Sequence, residues 1–136
     1  MIGSPILALR KAIVARLSAN VSFVETLGGP KIYDEAPRGA ETPYVIFADA
    51  QMRDWSAQSS RGAEQFLTLA VVTSQRGVGG ALGSAQQIID LLDEAPLTLE
   101  GHALVDLRFV SLETKRDQNG RFARVAMLFR AATEYL

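Results

Sequence analysis

Three groups of residues in this chain have types that chemistry uses. Asp34 and Glu35 are adjacent carboxylates, the raw material of general acid and base catalysis. Neighbours in an extended segment point to opposite sides, and no nucleophile, further acid or histidine stands near them in sequence. His102 is the only histidine, and there is no cysteine. One chain therefore cannot build a multi-histidine metal cage, a thiolate nucleophile or a Cys-based zinc site. Asp117 stands alone in a turn-rich stretch, so an enzyme built on Asp34, Glu35, His102 and Asp117 would need the fold to bring them together. The third group is Gly77-Val78-Gly79-Gly80-Ala81-Leu82-Gly83, placed between a strand-like run and a helix-like one. A dinucleotide fingerprint starting at Gly77 needs glycine at position 82, which is Leu82, and no Gly-Lys-Ser/Thr follows. This segment reads as a flexible strand-to-helix joint. The expectation is no catalysis, no metal and no cofactor.

Recognition residues are easier to find. Residues 51–65 form a polar, Ser/Gln-rich connection, longer than most loops, whose large apolar members are Met52 and Trp55. Such a segment is expected to project. Trp55, flanked by Arg53 and Asp54, has the type that anchors interfaces, and the alternative is that it folds back on its own domain. Eleven of the fourteen basic residues are Arg, whose planar fork pairs bidentately with carboxylates at interfaces.

The elements that must position these residues can be read in order. Ser4 supplies an N-cap oxygen and Pro5 fits the first helical position. Ile6, Leu9, Ile13, Val14 and Leu17 then recur at helical steps, which predicts a helix over 5–19. A short extra turn over 21–27 ends at Gly28-Gly29-Pro30, and residues 32–33 make a brief strand. Residues 44–50 and 66–73 read as strands of almost continuous apolar character. Leu82, Ala85, Ile88, Ile89 and Leu92 predict a helix near 80–94.

Residues 102–116 and 121–135 read as a long hairpin joined through Gln118-Asn119-Gly120. With a three-residue loop, Phe109 faces Phe129, Leu107 faces Ala131 and Ser111 faces Met127, while Arg108 faces Arg130 on the other side. Opposed arginines need acid, either from Asp106 and Glu134 diagonally or from a neighbouring subunit. The fold class is thus α+β, a mainly antiparallel sheet with a long C-terminal hairpin packed against two helices, in one domain over 1–136. Two helices shield one face. The second, with Arg108, Arg124 and Arg130 around Val110, Ala126 and Leu128, is expected to meet another subunit.

With 136 residues and 48% of them apolar, the chain can offset its ordering entropy, so disorder is not expected. Net charge −1 removes the broad positive field of non-specific nucleic-acid binding. No basic stretch precedes an apolar core at the start, and no apolar run reaches 18 residues, so neither a signal peptide nor a membrane span is expected and the cytoplasm is the default location. An interaction protein is the leading class. A small enzyme, or a nucleotide- or nucleic-acid-binding regulator, are the alternatives.

Ile32-Tyr33-Asp34-Glu35-Ala36-Pro37-Arg38-Gly39, then Thr42-Pro43-Tyr44-Val45-Ile46-Phe47, then Asp54-Trp55-Ser56, resemble the small tail-completion (tail terminator) proteins of long-tailed bacteriophages and gene transfer agents. Leu97 to His102, Leu107-Arg108-Phe109, and Arg116-Asp117 through Gly120 to Leu128-Phe129-Arg130 continue the resemblance in the family's order. It implies an α/β domain that assembles as a hexameric ring at the head-proximal end of the tail tube. That ring stops tube growth and joins the tube to the head-side connector, with DNA passing through its lumen without sequence-specific contact. It also implies assembly in the bacterial host cytoplasm and residence at the tail–head junction of the particle. Trp55, Arg53, Asp54, Arg108, Arg124 and Arg130 are the expected contacts with neighbouring subunits or the tube.

Overall fold

The computed structural model describes residues 3–136. Helix α1 spans Pro5–Ala19, and the Ser4 hydroxyl accepts the Leu7 N–H at 3.3 Å. Asn20 ends this helix and starts the next: its N–H donates to the Leu17 carbonyl while its side chain accepts from Phe23 N–H at 2.8 Å. The expected short turn is a complete helix, α2 (Val21–Leu27), closed by Gly28 in the left-handed region at φ 83°, where a glycine pays no Cβ penalty. Strands β1 (Ile32–Tyr33), β2 (Tyr44–Asp54) and β3 (Gly62–Ser74) follow. After a 3₁₀ turn at Gln75–Gly77 come α3 (Val78–Leu92), β4 (His102–Arg116) and β5 (Phe122–Tyr135).

The strands form one sheet in the order β1-β2-β3-β5-β4, with only β1 parallel to its neighbour. Along β3 the odd-numbered Leu67, Leu69 and Val71 share a face, as do Val125, Met127, Phe129 and Ala131 of β5. This face meets Leu9, Ile13 and Leu17 of α1, Phe23 and Leu27 of α2, and Ala85, Ile88 and Leu92 of α3 in a single core. The even-numbered residues, among them Phe66, Thr68, Arg124, Leu128 and Arg130, point to the face that carries no helix.

Three expectations are corrected. Residues 51–65 are not a loop: β2 and β3 run on as a ladder to Asp54 opposite Ala63, leaving a turn over 55–61. A backbone ladder satisfies N–H and C=O groups whatever the side chains are, so a polar composition does not forbid strand. The glycine segment is not a flexible joint either, because Gly79, Gly80 and Gly83 lie inside α3, which starts two residues earlier than expected. Three helices, rather than two, cover the core face.

The C-terminal hairpin combines three registers. Phe109 faces Phe129, Leu107 faces Ala131 and Arg108 faces Arg130, as expected. Irregularities at Val105 and Val110 each shift the pairing by one, so Leu112 rather than Ser111 opposes Met127. The bulge at Val110 thereby keeps an apolar side chain beside Met127. The turn is correspondingly wider than three residues, with Asp117 N–H donating to the Phe122 carbonyl and Gly120 N–H to the Asp117 carbonyl.

Candidate interaction surface

The helix-free face carries the best-organised polar cluster of the molecule. Pairing of β2 with β3 sets Arg53 opposite Glu64, and pairing of β3 with β5 sets Arg130 one step further along. Glu64 therefore receives both cations: Arg53 Nε at 2.8 Å and Arg130 Nε at 2.7 Å, one on each carboxylate oxygen. Arg130 also donates from Nη1 to Asp106 Oδ1 at 3.2 Å. The Arg53 guanidinium lies over the Phe66 ring at 5.4 Å. The Arg130 hydrogen bond, helped by the Arg53 charge and opposed by partial burial, holds the Glu64 carboxyl below the usual glutamate range.

The acid that the opposed arginines require thus comes from the same chain, as Asp106 and Glu64. Glu134, the other carboxylate expected, makes no ion pair among the described residues. Arg108 reaches Glu94 at 3.5 Å, with both side chains more than half exposed, an ion pair worth at most about 1 kcal/mol. Arg124 is exposed, and no carboxylate of the described residues pairs with it. It lies six residues along β5 from Arg130, roughly 20 Å away. Five of the six expected contact residues therefore gather toward one end of the face, and Arg124 stands apart.

Trp55 sits where β2 turns over. Its N–H donates to the Gly62 carbonyl at 2.9 Å, and the side chain is 40% exposed. Asp54 accepts from the Ser56 hydroxyl at 2.7 Å, and that oxygen accepts the Gly62 N–H at 3.2 Å. The indole is neither buried nor free. It leans on Gly62, whose missing Cβ makes room for it.

The residues suited to chemistry are dispersed. Asp34 pairs with Arg10 of α1 at 3.2 Å, and Glu35 is exposed beside it. His102 is buried, its Nε2 donating to the Gly3 carbonyl at 2.8 Å and its ring edge-on to Tyr135. His102 and Asp117 bracket β4, about 45 Å of extended chain apart. Among the described residues no three His, Asp or Glu side chains are grouped to hold a metal. Gly77 packs against the Thr73 hydroxyl, which explains a glycine there without a ligand.

Sequence reasoning missed two features. Glu64 is hidden because the polar composition of residues 51–65 masks the strand that carries it. A basic group at the far end of the sheet was missed because Arg76 joins Lys115, Arg116, Arg121 and Arg124 only through Gln75. Gln75 accepts from Arg116 at 2.8 Å and donates to the Phe122 carbonyl at 2.9 Å.

Known proteins share this architecture. One solved chain, from the virion of a native gene transfer agent (GTA) particle, is 28% identical, with TM-score 0.86 over 95% of this chain and 96% of that one. Another solved chain, 14% identical with TM-score 0.53 over 95% of this chain and 96% of its own length, shares the fold. No curated protein matches in sequence. The model of the family described as tail completion protein gp17 matches residues 11–134, in agreement with the resemblance carried by residues 32–56 and 97–130. The chain belongs to that tail completion family.

Proposed function

We propose that this structural tail-completion protein forms a six-membered ring at the head-proximal end of a tail tube, ends the growth of the tube and joins it to the head-side connector. The observation that carries the reading is the near-complete correspondence, at TM-score 0.86, with a chain of a gene transfer agent virion. The family match over residues 11–134 spans all of the strands and helices except the first turns of α1 and the last residue of β5. The dispersed carboxylates and the buried His102 favour a role without catalysis or cofactor. Assembly takes place in the bacterial host cytoplasm, and the finished ring stays at the tail–head junction.

In this reading the face bearing Trp55, Arg53, Asp54, Arg108, Arg124 and Arg130 contacts a neighbouring subunit or the tube. Arg130 and Arg53 are engaged by Glu64, so their part is to stiffen the surface, whereas Trp55 and Arg124 remain available to a partner. DNA passes through the lumen without base-specific contacts, which the net charge of −1 permits. The test is an electron-microscopic reconstruction of the tail–head junction of particles carrying the protein. Six copies around the tube axis support the reading. A single copy bound away from the axis overturns it.

A further inference from the structure

The sheet has two edges, and both are left open over a length that a strand needs. On one side β1 pairs with β2 at Val45 and Ile46, so residues 48–54 have no outer strand among the described residues. On the other, Glu94 N–H donates to the Leu107 carbonyl and Asp93 accepts from Phe109 N–H, which closes the β4 edge at those two residues. From there, residues 110–116 have no backbone partner on their outer side among the described residues. Unpaired edge groups of this kind are templates for another strand.

The two edges match in detail. Each of β2, β3, β5 and β4 runs antiparallel to the one before it, so β2 and β4 point in opposite directions. A copy repeated side by side in the same orientation would offer its β4 antiparallel to the β2 of its neighbour. Each edge also exposes one large apolar side chain on the helix-covered face: Met52, which opposes Gln65, and Leu112, which opposes Met127. Setting Met52 against Leu112 places Asp49 opposite Lys115 and Gln51 opposite Glu113, with Arg53 diagonal to Glu113. From Ala50 to Arg53 each residue then keeps its own face. The wider charge distribution agrees. Asp34, Glu35, Asp49 and Asp54 outnumber Lys31 and Arg53 along the β1–β2 side, while Arg76, Lys115, Arg116, Arg121 and Arg124 outnumber Glu113 and Asp117 around the end of the β4–β5 hairpin.

We propose that the sheet continues from one copy to the next by antiparallel addition of residues 110–116 of β4 to residues 48–54 of β2, with Leu112 facing Met52 and Lys115 facing Asp49. The contact joins two different patches, so it is heterologous: it does not stop at a dimer, and it gives a ring where the rotation between copies closes. It specifies the subunit contact of the ring proposed above and rests on that reading. The bulge at Val110 and the charges along both edges limit pairing to this register, as protected edges do in other sheets.

The absence of cysteine makes the test direct. A chain carrying both Met52→Cys and Leu112→Cys is oxidised gently, as concentrated protein and in purified particles. The expected product is a ladder of covalent dimers, trimers and higher species up to a closed ring. Gln51→Cys with Leu112→Cys places the thiols on opposite faces and should give no ladder. Lys115→Asp should lower the ladder yield about tenfold, and adding Asp49→Lys should restore it. Only dimers, formed equally by Met52→Cys alone, would show β2 pairing with β2 and overturn the proposal. No cross-link in either sample overturns it too. Rings at the junction without a ladder would sink the edge pairing and leave the ring standing, and a ladder from copies absent from the junction would do the reverse.

Discussion

Replacing Gly62 by alanine tests how tightly the β2–β3 turn is held. Gly62 opens β3 opposite Glu134, and it has no left-handed backbone, so an alanine there is limited only by space. That space is missing. A Cβ would lie 2.7 Å from the Thr133 carbonyl oxygen, 3.0 Å from the Trp55 carbonyl oxygen and 3.1 Å from Cε3 of the indole. Two of these neighbours are backbone atoms fixed in adjacent strands and cannot rotate away. Overpacking of this kind costs about 1–3 kcal/mol, against which alanine recovers about 0.4–1 kcal/mol by restricting the unfolded chain. The expected net loss is about 1–2 kcal/mol, or a Tm lower by about 4–8 °C for a chain of this size.

Gly79→Ala and Gly83→Ala provide the internal comparison. Both positions lie inside α3, and an added Cβ at either meets nothing within 4 Å. Each should raise stability by roughly 0.8–1 kcal/mol, the helix-propensity difference between the two residues. Urea denaturation gives the free energies, and the emission of Trp55, the single tryptophan, reports any displacement at Gly62 itself. A Gly62→Ala protein with unchanged midpoint and unchanged emission would refute this account of the turn.

Phe129→Ala removes a fully buried ring that packs edge-on against Phe109 at 5.9 Å; urea unfolding should show a loss of about 3–5 kcal/mol, and a loss below 1 kcal/mol would contradict the core described. Because Glu64 is held below its ordinary pKa by Arg130 and Arg53, its contribution is present at pH values above the unfolded glutamate pKa of about 4.3 and is lost as pH falls through the lower folded value. Glu64→Gln should therefore be less stable than wild type at pH 7 and show a shallower decline between pH 5 and pH 2, about the window in which a depressed carboxylate titrates; parallel stability curves would exclude the linkage. Trp55→Ala should reduce tail joining, counted as complete particles, more than it lowers the Tm of the purified chain; the reverse ordering would make the indole a packing residue rather than a contact.

Local signals carried much of the fold into the sequence. Ser4, Pro5 and the apolar stripe to Leu17 placed α1 correctly because a cap oxygen and a fixed proline φ act within one turn of the chain. Phe109 opposite Phe129 was legible because one register alone puts both rings on the buried face. What stayed hidden was decided by partners distant in sequence. Residues 51–54 hold strand conformation only through β3, and their exposed, polar side chains leave no hydrophobic alternation to read. The bulges at Val105 and Val110 carry no compositional mark, since any residue can occupy them. Glycines in the first turns of α3 were taken at their propensity, although contact with β3, β4 and β5 outweighs the roughly 1 kcal/mol that each costs. Asp106 was found as a partner of Arg130 because both lie in the same hairpin. Glu64 lies 66 residues from Arg130 and required the whole sheet.

The position of β5 also sets an order of events during synthesis. It is the penultimate strand of the sheet in space, yet the last of its five strands in sequence, and β3 pairs with it along the full length from Gly62 to Ser74. At ribosomal rates of 5–20 residues per second, the roughly 50 residues between the end of β3 and the start of β5 take about 2–10 s to be made. Throughout that interval β3 has a neighbour on one side only, and the apolar surfaces of α1 and α2 lack half of their platform. The sheet is thus completed only once β5 has been made, by closure of a long loop, which predicts slow refolding on the scale of high-contact-order domains. A chain cut before Phe122 would lose the strand that joins β4 to everything else. Synthesis through β5 is therefore a condition for forming the complete sheet.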